Sequence, residues 1–200
     1  MPSKPKSEAE HLADTRKKVL EAALPHVTFD GWSAQVLAEA IADSGVDAGL
    51  AALAFPRGVR DLALAFHYAG DAAMQAGMAA TDLSKLRYRD RVARAIELRL
   101  EHAAANKEAV RRGMAFFALP QYAADGAGAV WHTADAIWAS LGDTSRDVNW
   151  YTKRMTLSAV YSACVLFWLG DESPDMADTR AFIDRRIDDV MRFEKAKAAF

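Results

Sequence analysis

Apolar residues recur at three- and four-residue spacing along nearly the whole chain, while the Val/Ile/Thr alternation of strands is missing. That periodicity predicts an all-α protein of about nine helices. Val19, Leu20, Ala23, Leu24 and Val27 form one stripe of a first helix. Pro25 interrupts it and predicts a kink or an early end, because proline lacks the amide donor. Ser33 stands where a cap is needed for a second helix with Leu37, Ala40 and Ile41 inside. Gly45 closes a tight turn, and Val46, Leu50 and Leu53 give a short third helix its inner face. Longer helices are expected over residues 57–80, 88–105, 107–119, 129–141, 148–169 and 174–197. Ser173-Pro174-Asp175 supplies the last with a hydroxyl cap, a first-turn proline and an acid at its positive end.

With 200 residues and 52% apolar content, the chain buries a sizeable core rather than remaining disordered. The pattern divides it into a tail at 1–11, a three-helix module at 12–68 and a C-terminal helical domain at 69–200. The 25 Lys and Arg against 27 Asp and Glu argue against binding nucleic acid by bulk charge. Cys164 is the single cysteine, which excludes an internal disulfide framework or a cysteine-rich zinc module. Its apolar surroundings predict a small buried hydrophobe. The first eleven residues are polar and hold no hydrophobic signal segment. The longest uncharged run, Met155–Gly170, is 16 residues, against the roughly 20 that span a bilayer. The expectation is a soluble, cytoplasmic protein, peripheral to the inner membrane at most.

Three short helices with a glycine turn have the layout of a helix-turn-helix. Arg16–Ala23, Asp30-Gly31-Trp32, Leu37–Ala42, Gly45-Val46 and Phe55-Pro56 resemble the N-terminal domain of TetR-type repressors. The resemblance implies a TetR-like fold, and taken alone it implies a ligand-sensing repressor. The third helix argues against DNA reading. Its outer positions Asp47, Ala48, Gly49, Ala51 and Ala52 offer no side chain able to pair with a base edge. From Asp14 to Tyr68 there are five cations and seven acids, so counterion release is weak. No nucleic-acid partner is expected.

Asp147, Trp150, Tyr151 and Arg154 fall at i, i+3, i+4 and i+7, one face of the helix starting at 148. The spacing fits a capping Asp, two core aromatics and a solvated Arg. It equally fits an exposed aromatic patch framed by charge, of the composition found at binding hot spots. The segment Asp147–Arg154, followed by Asp171–Asp175 and Asp178–Ile183, resembles the ninth coenzyme Q (ubiquinone) biosynthesis protein family and its bacterial members. Ala95–Leu100, Leu119-Pro120 and Ala22–Trp32 match that family's pattern as well. The resemblance runs over about 16–192 and is most specific at Asn149-Trp150-Tyr151-Thr152.

It implies a homodimeric, TetR-like protein that is not an enzyme, binds isoprenoid lipid or phospholipid, and does not bind DNA. Such a protein presents quinone precursors to the di-iron demethoxyubiquinone hydroxylase. The family's partner patch maps onto Asp147, Trp150, Tyr151 and Arg154. Eukaryotic members continue into an amphipathic membrane-docking helix. After Phe193 this sequence carries no full apolar face, so membrane contact is expected to be weak.

A lipid requires a dry cavity, and Gly113–Ala134 holds a single charge, Asp125. Met114, Phe116, Phe117, Trp131, Trp138, Tyr161, Val165 and Trp168 are the candidate lining, although core packing explains each of them equally well. Lys85, Arg87, Arg89, Arg91 and Arg94 read as a solvated face, with anionic headgroups the alternative partner. The five histidines have no partner in metal-binding register, and no nucleophile elbow, phosphate loop or Cys-x-x-Cys occurs. Neither catalysis nor a cofactor is expected.

Overall fold

The computed structural model describes residues 7–144, 146 and 148–198, without the side chains of 193–198. Every regular element among them is helical, as the periodicity requires. They are α1 (Glu8–Asp30), α2 (Ala34–Ser44), α3 (Ala48–Ala54), α4 (Val59–Ala80), α5 (Tyr88–Ala103), α6 (Lys107–Phe117), α7 (Ala123–Ser140), α8 (Val148–Gly170) and α9 (Ala177–Ala198). The chain divides into two compact units, one built from Met1–Tyr68 with Asn106–Gly126, the other from Ala69–Ala105 with Ala127–Phe200.

In the first unit, α1 begins inside the segment expected to be a tail. A capping box starts it there: Ser7 Oγ accepts from the Glu10 amide, and Glu10 accepts from the Ser7 amide at 2.6 Å. Pro25 neither ends nor shortens the helix, which runs on to Asp30. Pro25 and Glu21 lie on the exposed side, so the carbonyl left without a donor faces water. Val19, Ala23 and Val27 stay fully buried on the opposite side.

Residues 106–126 join this unit, contrary to the expected division at 68/69. Trp32 Nε1 donates to the Ala109 carbonyl at 3.1 Å, Ala109 and Phe116 enter the core around α1, and Asp125 pairs with Arg57 and Arg60.

Ser33 caps α2 and Gly45 takes the left-handed conformation, both as expected. The inner face of α3 is not as expected. Ala51 and Ala54 are buried, whereas Leu50 and Leu53 are exposed. Small alanines let this short helix lie close to α1, where Arg16 Nε donates to the Ala54 carbonyl at 3.0 Å. Asp47 accepts from the amides of Gly49 and Leu50, so its carboxylate is occupied as a cap.

The second unit packs α8 and α9 together with α5, around Ile96, Leu100, Ile137, Leu157, Tyr161, Cys164, Trp168 and Ile183. α7 starts at Ala123, six residues earlier than expected, and α9 starts three residues later, after a 3-10 turn at Pro174–Met176. Asp175 and Met176 have positive φ there. Asp171 is the anchor of this corner: it accepts from the Ser173 and Thr179 amides and from Thr179 Oγ1.

Burial alone would raise the Asp171 pKa, but these hydrogen bonds hold it well below the usual carboxylate range. Its folded pKa therefore lies below its unfolded one, and its contribution to stability is present above about pH 4 and lost as pH falls further. Asp171→Asn should lower the melting temperature at neutral pH and flatten the acid limb below pH 4. Parallel melts from pH 7 to pH 2 test this, and an unchanged acid limb would exclude Asp171 as a contributor.

Candidate partner surface and ligand groove

α8 presents its outer face through Val148, Tyr151 and Met155, each more than 60% exposed. Trp150 is half-buried beside them and completes an aromatic cluster. Trp131 lies 5.7 Å from Trp150 and 6.4 Å from Tyr151, and Trp150 meets Tyr151 edge-on at 4.8 Å. Three rings from two helices thus form a platform with an apolar margin, the composition of a protein-binding hot spot. Asp147 lies outside the described residues.

Arg154 does not sit on this surface. It is 3% exposed, with Nε 2.5 Å from Asp135, Nη1 3.2 Å from Asp143, and its guanidinium 4.1 Å from the Trp150 ring centroid. Nη1 also donates to the Trp150 carbonyl. The expected solvated or partner-facing arginine is an internal strut, because two α7-side carboxylates compensate its burial.

The candidate lipid-lining residues are distributed over both units. Met114, Phe116 and Phe117 belong to the first unit, where Phe116 is core and stacks on Tyr122 at 4.2 Å. Tyr161, Val165 and Trp168 are buried core of the second unit, and Trp131 belongs to the aromatic platform. Trp138 lines a groove of the second unit. The groove, of about 160 Å³, lies between α5, the end of α7, α8 and α9. Val92, Leu157, Val160 and Ile187 floor it, Tyr88 and Met191 form exposed rims, and Thr152, Lys153 and Thr156 add polarity at one side. The residues from α5 and α9 escaped the sequence reading. Periodicity marks Ile183, Ile187 and Val190 as one face without saying what it faces.

Tyr88 and Trp138 lie 6.1 Å apart at a tilt of 32°, and Lys153 Nζ sits 5.3 Å from the Trp138 centroid. Lys153 pairs with Asp143 at 2.7 Å. The Asp143 amide in turn donates to the Trp138 carbonyl at 3.0 Å. A volume near 160 Å³ compares with the roughly 150 Å³ cavity that accommodates a benzene ring in another protein. It admits one six-membered ring, not a folded isoprenoid.

The second unit also contains a buried polar knot. Asp71 accepts from Arg99 Nε at 2.8 Å and from Thr133 at 2.9 Å, and its second oxygen meets His132 Nδ1 at 2.8 Å. Gly70 makes room for the Arg99 guanidinium, since a Cβ there would come within 2.3 Å of it. Burial pushes the Cys164 thiol up to about 12, which keeps it protonated and inert. The basic residues of 85–94 are occupied by neighbours: Lys85 with Asp82, Arg87 with Asp90, Arg89 with Asp184 and Asp188, and Arg94 with Glu97 and Glu101. Arg91 Nε donates to the Leu86 carbonyl. The arrangement favours the reading as a solvated, internally neutralised face over headgroup attraction. Among the described residues no group of three or more His, Cys, Asp or Glu could hold a metal, and no helix is long and apolar enough to cross a membrane.

Residues 123–194, which include α8, match the COQ9 family model. The chain is 30% identical over 183 residues to the mitochondrial ubiquinone biosynthesis protein COQ9 of Rattus norvegicus, covering 87% of this chain and 58% of that protein. It is 31% identical over 185 residues to the Drosophila melanogaster protein of the same name, covering 90% of this chain and 56% of the relative. The human protein is 30% identical, with 87% and 57% covered. The chain thus spans just over half the length of these relatives. Among solved structures, a TetR transcriptional regulator from Nitrosomonas europaea superposes with a TM-score of 0.69 at 18% identity, over 87% of this chain and 96% of that one. At that identity the likeness shows a shared TetR-like fold and nothing further.

Proposed function

With a COQ9-family domain at residues 123–194 as the premise, we propose that this chain is a non-catalytic accessory protein of ubiquinone biosynthesis. It holds the ring of an isoprenoid quinone precursor and presents it to the di-iron demethoxyubiquinone hydroxylase. The observation carrying this reading is the apolar groove beside Trp138, which takes a single ring and opens past Tyr88 and Met191, where a tail would leave. The names of the relatives support the pathway. The Trp131–Trp150–Tyr151 platform supplies the docking face for the hydroxylase, with Val148 and Met155 at its margin.

The TetR-like fold gives no support to a repressor. The outer face of α3 offers alanine, glycine and leucine, and Asp47 is already engaged as a cap. A protein without donors or acceptors on its reading helix cannot discriminate base pairs in the major groove.

Native mass spectrometry of freshly purified protein, followed by solvent extraction of the bound material, tests the proposal. The expected result is a copurified isoprenoid quinone precursor or phospholipid, whose retention falls in a groove-filling Val160→Phe variant. Protein that is consistently empty and also fails to bind quinone analogues would overturn it.

A further inference from the structure

We infer that Lys153 senses an oxygen-bearing ring seated in the groove, and that Asp143, shared between Lys153 and Arg154, passes this occupancy to Trp150 on the exposed face of α8. The inference rests on the groove being the ligand site proposed above.

Three features of the second unit carry it. Two cations line the groove: Arg89 is held by Asp184 and Asp188, whereas the Lys153 side chain is 36% exposed, with its ammonium near the Trp138 ring and paired with Asp143. Asp143 is fixed, with a side chain 5% exposed and its amide bonded to the Trp138 carbonyl. Its two oxygens serve two cations, Oδ1 for Lys153 and Oδ2 for Arg154. Arg154 then touches Trp150 twice, through the ring and through the backbone carbonyl. Groove and platform therefore meet at one carboxylate.

The chemistry of the signal follows from that sharing. A ring carrying a carbonyl, phenolic or carboxyl oxygen competes with Asp143 for the Lys153 ammonium, whereas a bare hydrocarbon ring does not. Once Lys153 turns to the ligand, Asp143 Oδ1 loses the ammonium while Oδ2 keeps its contact to Arg154. The 3.2 Å contact shortens at the expense of the contacts to Asp135 and Trp150. The Trp150 ring is thus held differently in the loaded and unloaded protein. By linkage, a partner that prefers the loaded setting of Trp150 raises ligand affinity by the same factor.

Tryptophan indole signals in ¹⁵N-labelled protein report both ends at once, because Trp138 lines the groove and Trp150 belongs to the platform. The five tryptophans are assigned by single Trp→Phe variants. The probe is 2,3-dimethoxy-5-methyl-1,4-benzoquinone, and toluene is the ring without an acceptor. The quinone should shift Trp138 and Trp150 along one saturation curve, and toluene should shift Trp138 alone. In Lys153→Met the Trp150 response should vanish while Trp138 still titrates at several-fold higher concentration. Asp143→Asn should do the same, and Lys153→Met leaves both Arg154 ion pairs in place should the former fail to fold. A shift of Trp138 without Trp150 in the unaltered protein would overturn the coupling and leave the groove reading standing. A Trp150 response that survives in Lys153→Met would also overturn it. Silence at both signals would remove the groove and the coupling together.

Discussion

Arg99→Met should destabilise the protein by roughly 3–5 kcal/mol, the cost of removing one partner from a buried ion pair. In a chain of this size that lowers the melting temperature by about 6–20 °C. Arg99 is 5% exposed and Asp71 1% exposed, so the carboxylate left behind cannot turn to solvent. Thr133 and His132 continue to donate to it, but neither brings the permanent charge of a guanidinium. The space above Gly70, which the guanidinium fills, is left for a thioether of different shape. Replacing Asp71 by Leu in the same protein should recover part of the loss, since an apolar pair requires no compensation. Melting curves of the two single variants and the double variant check this. Additive losses, or a single loss under about 1 kcal/mol, would mean that the knot is hydrated and contributes little.

Helix existence was legible because each element carries its own apolar period and most have their own stop signals. Ser33 and Gly45 did what their side chains predict at helix ends. The misreadings share a physical origin: local pattern does not report the distance to the neighbouring element. Leu50 and Leu53 have the spacing of an inner face, yet α3 lies too close to α1 for leucines, and alanines take their place. Pro25 has the chemistry of a helix breaker, yet its lost hydrogen bond falls on the wet side. The apolar segment 113–134 contributes Phe116 to the core of one unit and Ala129 and Ala134 to that of the other, so its apolar density reports packing as much as any cavity. The groove is assembled from α5, α7, α8 and α9, and only Trp138 stood out beforehand.

Tyr151 and Arg154 share one helical stripe of α8 but not one environment, and they should respond to substitution in opposite ways. Tyr151 is 61% exposed and Arg154 is 3% exposed, although three residues separate them on nominally one face. A helical stripe that crosses the boundary of the core has a wet edge and a dry edge. Tyr151→Ala should therefore change stability by less than about 1 kcal/mol. It should weaken hydroxylase binding by about 2 kcal/mol, the cost of truncating a hot-spot aromatic, which is roughly 30-fold in Kd. Arg154→Ala should cost about 3 kcal/mol or more of stability. It removes one of the cations paired with Asp143 and takes away the cation that holds the Trp150 ring. Any loss of binding in that variant should follow its loss of folded protein and return in part with Arg154→Lys, which restores a cation near Asp143 and Asp135. Melting curves paired with calorimetric titration of the hydroxylase separate the two cases. If Arg154→Ala melts normally and loses binding while Tyr151→Ala binds normally, the contact edge is the one turned toward Asp135 and Asp143, and the platform is not the docking face.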